Sequence, residues 1–161
     1  MNAELTKDLP VGKGRIGFRV SSYFPVSSGK LWEAITKGKQ IERFFMDKVE
    51  GDFSRELRPV RWTSKKCGLH VQWPTVFQKE KKLEFRWADH KKRYLTTVTM
   101  TLKKRPRWIE LEIWERGWKP ADLENAFMNC NGWSMFLDCL KAYLLHGVDL
   151  RTERARHRVA A

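Results

Sequence analysis

Asn131-Gly132-Trp133-Ser134-Met135-Phe136-Leu137-Asp138-Cys139-Leu140-Lys141-Ala142-Tyr143-Leu144 decides the fold. Trp133, Leu137, Leu140 and Leu144 recur at steps of three and four, the spacing of one face of an α-helix. Read backwards, Leu123, Ala126, Phe127 and Cys130 continue that face, and Glu124, Asn125, Asn131 and Asp138 fall on or near the other. Pro120 and Asp122 suit a helix start, and Gly147 suits its end. The helix runs to about His146, roughly 26 residues or about 39 Å. A second tryptophan-marked helix stands early in the chain, in Ser27-Ser28-Gly29-Lys30-Leu31-Trp32-Glu33-Ala34-Ile35-Thr36, where either serine can cap the first turn. Gly38 breaks it, and Gln40 to Phe45 supplies another short helix.

Between these helical signals the pattern has period two. Ile16, Phe18 and Val20 alternate with small or polar residues ahead of Pro25. From Val49 to Gly117 further strands are expected at Phe53–Leu57, Val60–Thr63, Leu69–Phe77, Leu83–Trp87, Tyr94–Leu102 and Trp108–Trp114. Their short connections make them antiparallel neighbours. Val98, Met100 and Leu102, like Ile109, Leu111 and Ile113, mark one apolar face. The order predicts a curved sheet closing over one long helix, an α+β domain of about seven strands. Residues 1–14 read as a flexible lead-in, 15–149 as the single domain, and 150–161 as a basic tail.

The 161 residues carry a net charge of +13, which steers acidic partners toward the chain but names none of them. Cys67, Cys130 and Cys139 form no paired motif; Cys130 and Cys139 fall on opposite helix faces, so reduced thiols and a cytoplasmic setting are expected. The first residues contain no apolar signal segment, and no stretch approaches the roughly 20 apolar residues of a membrane span. The four histidines are scattered without metal-ligand spacing, and neither a metal nor another cofactor is expected. No helix-turn-helix, finger or RNP-type motif is present, so specific nucleic-acid recognition is not expected.

Three stretches carry a family resemblance. Leu31-Trp32-Glu33-Ala34-Ile35-Thr36 resembles a "vWeaiT" opening helix, and Leu83-Glu84-Phe85-Arg86-Trp87 an "L-x-F-x-W" strand. Glu115-Arg116-Gly117-Trp118, followed by Gly132-Trp133, Leu137, Leu140 and Leu144, resembles an "x-x-G-f … G-W-x-x-x-L-x-x-L" ending. In this order they are similar to the START-like, Bet v 1-like (SRPBCC) superfamily, and most of all to the domain of the activator of Hsp90 ATPase homologue 1-like (AHSA1-like) proteins. The resemblance covers about residues 16–146 and implies the helix-grip fold with an apolar cavity between sheet and helix. Here Glu80-Lys81-Lys82 replaces the proline usual before the "L-x-F-x-W" strand, and Phe44-Phe45 replaces a tryptophan of the second helix. Members of the superfamily span lipid carriers, cyclases and co-chaperones, so the resemblance does not select an activity.

Strand and helix phase place Trp62, Trp73, Phe85, Trp87 and Met100 on the sheet's apolar face, opposite Phe127 and Trp133. These seven are the expected ligand-binding residues, whether the hollow is a solid aromatic core, a small cavity or a lipid-sized one. Alternate turns of a meander share one rim. This should gather Arg58, Arg61, Lys79, Lys81, Lys82, Lys103, Lys104, Arg105 and Arg107 where an acidic partner, or the acidic end of a ligand, would meet them. Lys65-Lys66 and His90-Lys91-Lys92-Arg93 make the opposite rim basic too. Glu110 and Glu112 should lie on the outer face beside basic neighbours, and no catalytic constellation is identified. Met128, Met135 and Cys139 are expected together on the outer side of the long helix. The function expected is a non-enzymatic module for a small apolar or amphipathic ligand, a protein partner, or both. The alternatives are a cyclase- or hydrolase-like enzyme using the same cavity and a co-chaperone-like domain.

Overall fold

The computed structural model describes residues 3–151. After a 3-10 turn at Ala3–Asp8, the order is β1 (Gly14–Phe24), α1 (Ser28–Thr36), α2 (Gly38–Phe44), β2 (Lys48–Glu50), β3 (Val60–Ser64), β4 (Gly68–Gln78), β5 (Lys82–Ala88), β6 (Leu95–Lys104), β7 (Ile109–Gly117), a 3-10 turn at Pro120–Asp122, and α3 (Leu123–His146). All strands join one antiparallel sheet in the order β1-β7-β6-β5-β4-β3-β2. The first strand thus pairs with the last, and α3 folds back across the sheet's inner face. This is the expected α+β helix-grip architecture.

Local chemistry explains the element ends. Ser27 Oγ accepts from the Lys30 backbone N–H at 3.2 Å and caps α1. Gly147 closes α3 in the left-handed region (φ 63°), its N–H returning to the Tyr143 carbonyl at 2.9 Å. The strand expected at Phe53–Leu57 is absent, and the pairing lies at Lys48–Glu50 instead. Gly51 at φ 92° turns the chain out of the sheet, and Phe53 N–H bonds the Thr36 carbonyl at 2.9 Å. That bond lets the Phe53 ring drop into the core beside Trp62 and Phe85.

The lead-in is tied down over residues 6–13. Gly12 N–H bonds the Leu95 carbonyl at 2.7 Å, and Leu95 N–H bonds the Pro10 carbonyl at 2.9 Å. A side chain at Gly12 would sit 2.3 Å from the Gly117 carbonyl, so only glycine permits this crossing. At the other end, Arg151 donates to the Met46 and Glu42 carbonyls at 2.7 and 2.6 Å, anchoring the start of the basic tail. The rest of that tail lies outside the described residues. Among the described residues no helix is long and apolar enough to cross a membrane.

α3 is rotated from the face expected. Its buried residues are Ala126, Trp133, Phe136, Leu137, Cys139 and Leu140. Cys139 is therefore not on the outer side with Met128 and Met135, which are exposed. It lies in the main core cluster, against which the returning chain also packs Leu150, and burial raises its thiol pKa.

Candidate functional site

The inner face of the sheet holds a continuous cluster of rings. Trp62 lies 6.3 Å from Trp87 and from Trp133, and 6.4 Å from Phe85, centroid to centroid. Trp87 and Trp133 approach to 5.3 Å. Phe136, Phe45 and Phe53, which were not among the expected ligand-binding residues, complete it: Phe136 stacks on Trp62 at 6.3 Å and meets Phe45 at 5.0 Å. Met100 is fully buried in the same core. Five of the seven expected residues, Trp62, Phe85, Trp87, Met100 and Trp133, are thus brought together.

Phe127 and Trp73 are not. Phe127 is 65% exposed. Asn129 turns inward to donate to Glu115, and two helical residues, about 200° of rotation, separate it from Phe127. Trp73 stands on the outer face, paired with Arg86, and its indole N–H meets Thr6 Oγ1 at 3.3 Å. The register shifts between Pro74 and Val76, so Pro74 and Phe77 both face inward with Phe85 and Leu83. One inserted residue reverses the phase upstream, and a count back from Phe77 therefore places Trp73 on the wrong side.

The same bulge turns His70 and Gln72 inward, beside Trp62 and Val60 across the β3–β4 ladder. His70 contacts the Trp87 ring at 5.9 Å, and burial lowers its pKa. Gln72 is 0% exposed, and neither its Nε2 nor its Oε1 has a hydrogen-bond partner; the same holds for the indole N–H of Trp62. Gln72 was not legible as a site residue, because its inward orientation depends on the bulge.

Glu115 is the polar centre of the interior. It is fully buried and accepts from Trp87 Nε1 (3.0 Å), Thr96 Oγ1 (2.7 Å), Trp133 Nε1 (2.8 Å) and Asn129 Nδ2 (3.2 Å to each oxygen). Burial raises its pKa against the opposing pull of these donors. Glu115 shares the phase of Ile109, Leu111 and Ile113, so its inward orientation was available from period two alone.

The meander brings the nine expected rim cations to one end of the sheet. Four are paired: Arg58 with Glu56, Lys82 with Glu84, Lys103 with Glu112 and Arg105 with Glu110. Among the described residues, Arg61, Lys79, Lys81, Lys104 and Arg107 carry no ion pair. Glu80, in the same turn, accepts from the Ser28 hydroxyl at 2.6 Å. At the opposite end Asp122 binds Arg93 (2.5 Å) and Tyr94 Oη (2.8 Å), which lowers its pKa. Burial there, with Asp122 beside it, pushes the Tyr94 phenol up to about 12.

Among the clefts formed by the described residues are three shallow ones. A groove of about 320 Å³ lies between α1, α2 and the end of α3, and another of about 440 Å³ follows β1. A third, of about 230 Å³, is lined by His70, Asp89 and His90. None of the three is lined by Trp62, Phe85 or Trp133. Among the described residues no three His, Cys, Asp or Glu side chains are grouped to hold a metal ion.

Solved structures share this fold at low identity. A protein from Mesorhizobium loti superposes with a TM-score of 0.72 at 21% identity, over 80% of this chain and 96% of its own. One from Staphylococcus saprophyticus gives 0.72 at 16%, over 84% and 96%. The Aha1 dimer from Colwellia psychrerythraea gives 0.71 at 16%, over 82% and 98%. No curated protein sequence matches the chain. The profile described as "Activator of Hsp90 ATPase homolog 1-like protein" matches residues 25–145, which span α1, the meander and nearly all of α3. The chain belongs to the activator of Hsp90 ATPase homolog 1-like family.

Proposed function

We propose that the protein is a binding module whose grip takes a small, neutral molecule with an aromatic or aliphatic body and a head that both donates and accepts hydrogen bonds. The observation that carries this reading is the unpartnered Gln72 amide and Trp62 indole N–H on the inner face of the β3–β4 ladder. A buried polar group left without a partner costs about 1–3 kcal/mol, so a ligand head that bonded these three atoms would gain from satisfying them. An amide or alcohol head would satisfy them while its body lies against Trp62, Trp87 and Trp133, which move apart to admit it. The carboxylate of Glu115 disfavours an anionic head, and none of the groups bonded to it is a lysine or arginine. The rim cations would then steer acidic partners rather than anchor the ligand. Glu115 supplies the inward carboxyl that a cyclase-type enzyme would need. Its two oxygens are taken up by donors from β5, β6 and α3, and we assign it to holding the helix on the sheet.

The test compares naphthamide, naphthoate and naphthalene by calorimetry and tryptophan fluorescence, with native mass spectrometry of freshly purified protein for a retained small molecule. Naphthamide should bind best. Gln72→Met, which keeps the side-chain length, should raise the stability of the free protein by about 1–3 kcal/mol and abolish the preference for the amide. Equal binding of all three compounds, or none, defeats the reading.

A further inference from the structure

We propose that β1 is a docking edge for an acidic, extended segment of a partner protein, which adds to the sheet as an eighth strand. This is independent of the interior ligand, because the exposed side chains of β1 lie on the outer face of the sheet, away from the ring cluster.

β1 has 11 residues and stands at the end of the strand order, with β7 as its only ladder partner among the described residues. Every second backbone N–H and C=O of such a strand points away from its neighbour, a ready template for another chain. The opposite edge, β2, is only three residues long. Exposure alternates along β1, although its ladder with β7 shifts register between Gly14 and Gly17. Arg15, Gly17, Arg19, Ser21 and Tyr23 are exposed, while Ile16, Phe18, Val20 and Ser22 turn toward the core. Natural edges are commonly protected by charge, and here that charge has one sign. Arg15 and Arg19 have no acidic partner among the described residues.

The cleft of about 440 Å³ is lined by Gly14 to Arg19 in unbroken succession, with Trp114 and Arg116 beside them. A hollow that follows six consecutive strand residues fits an elongated occupant running along the edge. Arg19 and Arg116 hold their guanidinium carbons 4.4 and 4.2 Å from the Trp114 ring centroid. Arg116 is further fixed by Glu84 at 3.1 Å and Thr99 at 2.8 Å. Arg116 is therefore already neutralised and forms a floor, whereas Arg15 and Arg19 remain free to bind anions. Arg15 lies in the stretch where the ladder shifts register and Arg19 in the regular part of β1, both on the exposed side. An added strand would bring acidic residues opposite both arginines, four positions apart on one face. Gly17 puts no side chain between them, which leaves room opposite it for a bulky apolar residue against Arg116 and Trp114. The recognised pattern is acidic–x–bulky–x–acidic in extended form.

Single-stranded nucleic acid fits less well. The bases would need free aromatic faces, and Trp114 is already covered by guanidinium groups. A second copy of this chain would bring together two surfaces from molecules of net charge +13.

The experiment uses fluorescence anisotropy of a labelled peptide, Ser-Thr-Glu-Thr-Phe-Thr-Glu-Thr-Ser. It is compared with an isomer whose two glutamates are adjacent, with oligo-dT, and with anionic vesicles. The spaced peptide should bind best, weaken with salt, and lose about tenfold or more in affinity with Arg15→Glu/Arg19→Glu. Lys104→Glu/Arg107→Glu, at the rim, should change it far less. Amide exchange should slow along residues 15–21 when the peptide binds. Equal affinity for the two isomers, tighter binding to oligo-dT or vesicles, or binding without protection of the β1 amides would each overturn the proposal.

Discussion

Glu115 shows how one buried residue organises this interior. A carboxylate with no exposed surface is costly unless donors surround it, and Trp87, Thr96, Asn129 and Trp133 supply them from two strands and a helix. Glu115→Gln keeps one acceptor oxygen but points an NH₂ group at Trp133 and Asn129, so it should destabilise the fold by about 1–3 kcal/mol. The pH dependence has a definite sign. Because burial raises the folded-state pKa, the folded form holds its proton longer than the unfolded form. Wild type therefore loses stability as pH rises from about 4 through the folded pKa, and the variant lacks that slope. Urea unfolding between pH 4 and 8 should show the gap between the two narrowing as pH rises; a gap that widens would contradict the assignment. Glu115 could be read from period two, but Gln72 could not. A single bulge at Pro74–Val76, invisible in the hydrophobic pattern, reverses the phase of everything before it in β4 and sends Trp73 outward.

At the level of elements, α3 was legible in extent and only partly in orientation. Its end rests on Gly147, where a side chain would meet nothing within 4 Å but would have to adopt φ 63°. Gly147→Ala should therefore cost about 1 kcal/mol through backbone strain alone, measured as a lower thermal midpoint without loss of helicity in the core of α3. The helical stripe running through Trp133, Leu137 and Leu140 identifies the buried face over most of the length. At the first turns the decision passes to Asn129 and Ala126, because the sheet beneath offers a carboxylate there rather than apolar surface. Leu123 and Phe127 are displaced to solvent as a result. A hydrophobicity count cannot anticipate this, since it credits phenylalanine over asparagine at every inward position.

Across the whole molecule, Asp122 joins parts that are distant in the chain. It receives Arg93 and Tyr94 from the β5–β6 connection at the start of α3 and so fastens helix to sheet. Its folded-state pKa is lowered, so its contribution is present above the unfolded pKa near 4 and is lost as pH falls through the folded value. Asp122→Asn should lower stability at pH 7 and converge on wild type at strongly acidic pH, as chemical denaturation at each pH would show; a constant difference would remove the ionic part of the explanation. The alternation of strands, the short turns between them and the long amphipathic stripe were enough to determine the helix-grip plan, because each depends on local periodicity and chain connectivity. The expectation of a shared basic rim rests on the same connectivity, since a meander must place alternate turns at one end. Whether the hollow is open or filled, which carboxylate lies inside it, and that β1 stands at the end of the sheet were decided by tertiary structure alone. Those outcomes depend on a bulge, a helix rotation and the closure of the first strand onto the last, and each comes from contacts between residues far apart in sequence.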